Sequence, residues 1–449
     1  MNFKKIQHIY FIGIGGIGMS SLVRYFALNG KNIAGYDKTP STITEELTSL
    51  GIDIHFEDAI HRIPASFLNK KETLVVYTPA IPENHTEYNY FVGEGFTVLK
   101  RAEILGEITK KTYCLAVAGT HGKTTTSAIL GHIMHAENAT SFLGGIAENY
   151  RSNLIAGGDK ISVVEADEFD RSFLQLSPDI ACITSIDADH LDIYEGHDAL
   201  KQSFKEFANK VTKQLVIAKQ LEDMDSLTYA IEAKADYVAL NVTTKNGAYQ
   251  FDIQTPNTTI KNVTFQLPGR HNIMNALAAV AMADVYGISV DIIKRRLASF
   301  KGVQRRFSYK IKTDDLVLID DYAHHPTEIT AVESAVREMY PEDKILAVFQ
   351  PHLFSRTRDF GADFAASLSL FDELLLLDIY PAREKPIEGI TSGWLLDKVT
   401  LRDKKLTTKT AIVKDISDAQ AKIILMLGAG DISTLVEKVK NQLSKTILL

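Results

Sequence analysis

At 449 residues the chain has room for roughly two to four domains and a core that folds without disulfide or metal staples. Its 45% hydrophobic and 23% charged residues are ordinary for a soluble enzyme, and its net charge of −7 argues against a nucleic-acid or anionic-membrane partner. No apolar run approaches the ~20 residues of a membrane span. The basic start at Lys4-Lys5 is followed by an apolar stretch broken by glycines, unlike a signal peptide. Cys114 and Cys182 sit in apolar stretches without metal-type spacing, as core thiols of a reducing compartment do. A soluble, cytoplasmic protein is expected.

Strands and helices alternate along the chain, the pattern of α/β domains with largely parallel sheets. Residues 8–12 read as a strand, followed by a glycine turn and a helix to about residue 29; strands follow at 31–36 and 73–77. Gly13-Ile14-Gly15-Gly16-Ile17-Gly18 matches G-x-G-x-x-G between strand and helix, with Asp37 ending the next strand, placed for a ribose hydroxyl. The loop indicates a diphosphate but does not choose NAD. Glycines kept for tight packing alone are the plainer alternative.

A second unit opens with a strand at 112–118, the loop Gly119-Thr120-His121-Gly122-Lys123-Thr124, and a helix from 124 to about 136. Such a loop lets backbone N–H groups and a helix N-terminus meet an anion. Lys123 can reach β/γ-phosphates, and the Thr124 hydroxyl can bind Mg²⁺. The common phosphate loop has a glycine where Val117 stands, so this is a shorter variant. Strands at 161–165 and 180–185 end in two acidic clusters, Glu165-Ala166-Asp167-Glu168-Phe169-Asp170 and Asp187-Ala188-Asp189-His190-Leu191-Asp192. Ligands of open parallel sheets bind beyond the strands' carboxyl ends. Both clusters are therefore expected to face Lys123 and supply metal oxygens. Spacing alone does not say which acid is the ligand, and solvated strand ends are the plain reading. Residues 215–267 are strand-rich and fit a small antiparallel insertion, and a helix follows over 272–286.

A third unit begins after Arg305-Arg306-Phe307, with buried strands expected at 316–319, 344–349, 374–378 and 423–427. Two polar turns follow its strands, Asp320-Asp321-Tyr322-Ala323-His324-His325-Pro326-Thr327-Glu328 and Gln350-Pro351-His352-Leu353-Phe354-Ser355-Arg356-Thr357-Arg358. Pro326 fits the first position of a helix. Arg356 and Arg358 suit a carboxylate or phosphate, or are merely solvated.

Together these segments, with Gly269-Arg270-His271-Asn272-Ile273-Met274-Asn275-Ala276 and Gly428-Ala429-Gly430-Asp431-Ile432, resemble the Mur ligase family over essentially the whole chain. The resemblance implies an α/β fold in three domains. These are an N-terminal Rossmann-like domain (1–106) for a UDP-sugar, a central P-loop ATPase-like parallel sheet with a small antiparallel insertion (107–304) for ATP, and a C-terminal Rossmann-like domain (305–449) for an amino acid. It implies ATP and Mg²⁺ as cofactors and UDP-N-acetylmuramate and L-alanine as partners. It implies neither nucleic acid nor membrane, and a monomer or weak homodimer. The sugar's lactyl carboxylate would be phosphorylated and the acyl phosphate attacked by the amine.

By the same resemblance, Gly13, Gly15, Gly16, Gly18, Met19 and Asp37 would bind the UDP-sugar. Gly119, Thr120, His121, Gly122, Lys123, Thr124, Thr125, His271, Asn272, Asn275, Arg306 and Asp321 would bind ATP. Thr124, Glu165 and His190 would hold metal, and Lys123, His190 and Arg306 would act in catalysis. Tyr322, His324 and Arg356 would form the amino-acid pocket. Arg306 and Asp321 reaching the nucleotide would imply closure over ATP.

Leu353 departs from the arginine often found in alanine-adding members. Phe204, flanked by Lys201 and Lys205, replaces a lysine that several sister ligases carbamoylate; its absence fits the alanine-adding branch. A family member that reattaches a whole tripeptide is the nearest alternative. A nicotinamide dehydrogenase would leave the second loop without a task, and a nucleotide sensor would bind ATP without turnover.

Overall fold

A computed structural model of the chain describes residues 3–187, 197–221, 224–245, 248–382, 384–419 and 421–447. It contains three sheets, each built on a different third of the sequence. The first joins β1 (His8–Ile12), β2 (Asn32–Tyr36), β3 (Asp53–His55), β4 (Thr73–Tyr77) and β5 (Thr97–Lys100) in the order β3-β2-β1-β4-β5, with every pair parallel. Its helices are α1 (Ile17–Leu28), α2 (Thr42–Ser49), α3 (Thr86–Gly93) and α4 (Arg101–Thr109). β1 and β4 are continuous apolar runs because helices cover both of their faces.

The second sheet comprises β6 (Tyr113–Ala118), β7 (Thr140–Ala147), β8 (Ser152–Ile155), β9 (Ile161–Glu165), β10 (Ile180–Ile183), β11 (Gln214–Ala218), β12 (Leu227–Ile231), β13 (Tyr237–Lys245), β14 (Ala248–Gln254) and β15 (Thr259–Phe265). Its order is β15-β14-β13-β12-β11-β10-β6-β9-β7-β8. α5 (Lys123–Met134), α6 (His197–Ala208), α7 (Arg270–Tyr286) and α8 (Val290–Ser299) belong to the same stretch. β11, β12 and β13 continue the sheet in parallel, and β14–β15 pair antiparallel. The antiparallel part of 215–267 is thus narrower than expected and extends the main sheet. Alternating polarity at a sheet's solvated edge does not reveal strand direction.

The third sheet contains β16 (Ser308–Lys312), β17 (Val317–Asp321), β18 (Ile345–Phe349), β19 (Glu373–Leu376), β20 (Lys404–Leu406) and β21 (Ile423–Leu427). Its order is β16-β17-β21-β18-β19-β20, parallel except for β16. Helices α9 (Pro326–Met339), α10 (Phe354–Asp359), α11 (Gly361–Leu368), α12 (Ser392–Lys398), α13 (Ile412–Ala419) and α14 (Ser433–Ile447) accompany it. Pro326 opens α9 as expected, with the His325 side chain accepting from the Thr327 N–H.

The chain packs as two compact units. The first holds Met1–Thr244, Tyr249–Gln266 and Ile273–Lys301; the second holds Lys245–Ala248, Leu267–Asn272 and Gly302–Leu449. Within the first, one apolar cluster runs from Phe11 and Val76 through Ile104, Leu105 and Ile108 of α4 to Ala116, Phe173 and Ile183. The first two domains therefore share a core, and α4 crosses the expected 106/107 boundary. Cys114 and Cys182 are buried, and burial pushes both thiols up to about 12, as inert core residues.

Candidate active site

β6 delivers the loop at 119–122 to the N-terminus of α5. Gly119 and Gly122 have φ of +134° and +82°, where a side chain is strained. A Cβ at Gly122 would also stand 2.5 Å from Asn275 Oδ1. The exit of β10 fastens the loop. The Thr120 N–H donates to Ser185 O (3.0 Å), the His121 N–H donates to Ser185 Oγ (2.8 Å), and Thr184 Oγ1 donates to His121 O (2.5 Å). Neither Thr184 nor Ser185 was singled out in the sequence. The available signal was two hydroxyl residues directly after an apolar strand. Thr125 follows in α5 with its side chain buried.

Lys123 Nζ donates to Gly119 O (2.6 Å) and lies 2.8 and 2.7 Å from the two carboxylate oxygens of Glu168, which is fully buried. Burial would lower the lysine's pKa, but the carboxylates of Glu168 and Asp167 outweigh it and hold Lys123 above its usual value. Beside it, Thr124 Oγ1 donates to Glu165 Oε1 (2.9 Å), and the Gly144 N–H and Ser127 Oγ donate to Oε2 (2.9 and 3.4 Å). Thr124 and Glu165 thus place two hard oxygens together at the start of α5. That donor set fits Mg²⁺, which takes one or two protein oxygens and completes its shell with phosphate and water. Among the described residues no group of three or more His, Cys, Asp and Glu could hold a metal by itself. His190 lies outside the described residues. Thr126 Oγ1 donates to Asn275 Oδ1 (3.2 Å), which joins Asn275 to the first turn of α5.

The first-domain loop is held by contacts of its own. The Gly13 N–H donates to Tyr36 O, Gly16 caps α1, and Gly18 lies against the Arg101 guanidinium. Asp37 Oδ2 accepts from the Gly15 N–H (2.8 Å), so this carboxylate braces the loop. Met19 is in the core, which leaves its backbone as the part a ligand could meet. Arg101 Nη2 stands 3.7 Å from Asp167 Oδ2, and Lys100 Nζ stands 3.0 Å from Asp170 Oδ2. The end of β5 and the start of α4 thereby tie the rim of the first sheet to the acidic turn after β9.

His271, Asn272, Arg306, Asp321, Tyr322, His324 and Arg356 all belong to the second unit. The Tyr322 ring lies 4.9 Å from the Arg305 guanidinium and 5.0 Å from that of Arg306. Arg306 Nη1 is 3.7 Å from Glu328 Oε1, and the His324 N–H donates to Glu328 Oε2 (3.0 Å). Burial lowers the His324 pKa; Glu328 opposes this and Arg356 adds to it. Asp321 is buried and accepts from the Phe307 and Ala323 N–H groups (2.6 and 2.7 Å). It braces the turns that carry Arg306 and Tyr322. Arg305 and Phe307 flank Arg306 at φ of +59° and +52°, and Leu353 sits at +71° before Arg356. Backbone strain of this kind gathers where side chains are aimed for function. Asn272 Nδ2 donates to Pro268 O (2.6 Å).

Three family models cover the chain in order: "Mur ligase family, catalytic domain" at residues 8–113, "Mur ligase middle domain" at 117–283 and "Mur ligase, glutamate ligase domain" at 305–436. A curated relative, UDP-N-acetylmuramate–L-alanine ligase of Flavobacterium johnsoniae, is 57% identical over 451 aligned residues, covering 100% of both chains. The crystal structure of the UDP-N-acetylmuramate-alanine ligase of Thermotoga maritima matches with a TM-score of 0.83 at 26% identity, covering 98% of this chain and 99% of that one. A murein peptide ligase of Psychrobacter arcticus matches with a TM-score of 0.70 at 23% identity, covering 97% and 98%, and so shares the fold.

Proposed function

This chain belongs to the Mur ligase family, and from that premise we propose that it joins L-alanine to the lactyl carboxylate of UDP-N-acetylmuramate in peptidoglycan precursor synthesis. ATP is the energy source. A carboxylate oxygen attacks the γ-phosphorus and ADP leaves. The alanine amine then attacks the acyl carbon, loses a proton, and expels phosphate. The observation that carries the reading is the convergence of Lys123, Thr124 and Glu165 beyond β6 and β9, in a chain 57% identical end to end to an alanine-adding relative.

Phosphoryl transfer needs positioning and charge neutralisation above all. Lys123, held charged by its acidic neighbours, suits the transferring phosphoryl group. Mg²⁺, held by Thr124 and Glu165 with His190 at a second ion, would offset phosphate charge when bound. Asn275 supports the loop. His271, Asn272, Arg306 and Asp321 are assigned to the nucleotide, and Tyr322, His324 and Arg356 to the amino acid. Gly13, Gly15, Gly16, Gly18, Met19 and Asp37 are assigned to the UDP-sugar, Met19 by backbone and Asp37 by bracing Gly15.

The domain division is 1–106, 107–304 and 305–449, supported by one sheet per segment. The protein is placed in the cytoplasm as a monomer or weak homodimer. Two buried thiols support the compartment, and no helix among the described residues is long and apolar enough to cross a membrane. The test is an amino-acid panel with ATP, Mg²⁺ and UDP-N-acetylmuramate, reading phosphate. L-alanine is expected to give release. Release with the tripeptide alone overturns the reading in favour of the recycling ligase.

A further inference from the structure

Lys123 is the group a triphosphate must recruit, yet its ammonium is already engaged. It donates to the Gly119 carbonyl (2.6 Å), and both oxygens of Glu168 stand 2.7–2.8 Å away. An ammonium has three donors and no rigid fork, so a change of partner needs only a side-chain rotation. The carboxylate occupies the space around Nζ where a β- or γ-phosphate oxygen belongs. Glu168 is fully buried, whereas Lys123 keeps 14% of its side-chain surface. The lysine is therefore the member of the pair that an arriving anion can reach. The backbone also fixes the carboxylate. After Glu168 the chain turns through Asp170 and Arg171 at φ of +52° and +53°, and the Phe173 N–H donates to Asp167 O (2.9 Å).

We propose that Glu168 is a positioning residue for phosphoryl transfer: it pins the Lys123 ammonium against the loop and competes with the nucleotide's phosphates for it, so that nucleotide enters by exchanging one anionic partner of Lys123 for another. The pinned lysine keeps the loop in its phosphate-ready shape, and the competition weakens ground-state nucleotide binding. A group that opposes ground-state binding while orienting a catalytic neighbour gives a recognisable signature, a loss of KM together with kcat when it is removed.

This inference rests on Lys123 being the phosphate-binding lysine. The experiment measures Mg²⁺·ADP binding by calorimetry, and ATP kinetics, on the full-length wild type, Glu168→Gln, Glu168→Asp, Lys123→Ala and the double variant Lys123→Ala/Glu168→Gln. Releasing the Lys123 ammonium from a competing carboxylate is expected to tighten ADP binding by about threefold or more in Glu168→Gln. Its KM for ATP and its kcat are both expected to fall. Glu168→Asp, which keeps the charge, is expected to stay near the wild type in affinity, and Glu168→Ala serves as the neutral variant, with the same expected gain, if the glutamine variant does not fold. The gain in affinity is expected to vanish when Lys123 is already alanine. Unchanged or weaker ADP binding in a folded Glu168→Gln overturns the proposal. So does an equal gain with and without Lys123, and so does Glu168→Asp binding as tightly as a folded Glu168→Gln. If the wild type binds no Mg²⁺·ADP, or Lys123→Ala binds it unchanged, the functional reading fails instead.

Discussion

Single side chains in this molecule answer to charge and burial more than to their motif. Lys123 was legible because glycine, lysine and threonine follow a strand in a known spacing, but its partner Glu168 was not. The acidic run at 165–170 offered four carboxylates, and only the turn after β9 selects which of them meets Nζ. Lys123→Ala is expected to lower kcat by about a hundred- to a thousandfold, the scale of losing one preorganised charge. It also leaves a buried carboxylate without its cation. Unfolding free energy is therefore expected to fall by about 2–4 kcal/mol in urea titration, with part recovered in the Lys123→Ala/Glu168→Gln double variant.

A second buried carboxyl lies outside every motif. Glu87 accepts from the Tyr10 hydroxyl (2.7 Å) and the Ala59 N–H (3.2 Å), and burial pushes its pKa up to about 7. The folded state thus holds a proton that the unfolded chain releases near its ordinary value of 4.5. Stability contributed by this group is full below that value, declines as pH rises towards 7, and is flat above it. Glu87→Gln is expected to flatten this part of the stability–pH curve between about 4.5 and 7, read as Tm against pH. An unchanged slope places the proton elsewhere.

At the scale of elements, β1, β4, β9 and β21 matched the strands read at 8–12, 73–77, 161–165 and 423–427, because each is a short apolar run with a sharp turn at its end. Directions were harder. β11–β13 continue a parallel sheet that alternation alone left looking antiparallel. The carboxyl ends of β6, β9 and β10 bring together Gly119–Thr124, Glu165 and Thr184–Ser185, which lie far apart in sequence, as the rule for open sheets anticipates. The loop's geometry depends on glycine at 122. Gly122→Ala adds a side chain at φ +82° with its Cβ against Asn275 Oδ1. It is expected to cost about 1–3 kcal/mol of stability and to weaken Mg²⁺·ADP binding by more than Thr125→Ala does in the same calorimetric series. Thr125 lies within α5, beyond the glycine turn, with its side chain buried. Equal losses would mean that the loop shape is not what holds the nucleotide.

For the molecule as a whole, the sequence revealed three sheets but not how the first two are joined. A boundary near 106 follows from where the motifs stop, whereas cohesion depends on apolar surface that no motif reports. Gly106 of α4 lets the Gln175 backbone pass so close that a Cβ there would meet its carbonyl oxygen at 2.5 Å. Phe173 stacks on Phe207 with ring centroids 5.0 Å apart and meets Phe204 edge-on at 5.3 Å. These rings and α4 belong to the same cluster as Phe11 and Val76 of the first sheet and Ala116 and Ile183 of the second. Sheets that share a cluster lose the same free energy when its centre is hollowed out. Phe173→Ala is expected to cost about 3–5 kcal/mol. In native-state hydrogen exchange the most protected amides of β1 and β4 and those of β6 and β10 are expected to lose protection by the same amount. The clusters beneath β17, β18 and β21 are separate, so their amides are expected to keep theirs. Protection lost from β6 and β10 while β1 and β4 stay unchanged would mean that the first two sheets unfold independently, and 106/107 would then be a boundary in energy as well as in sequence.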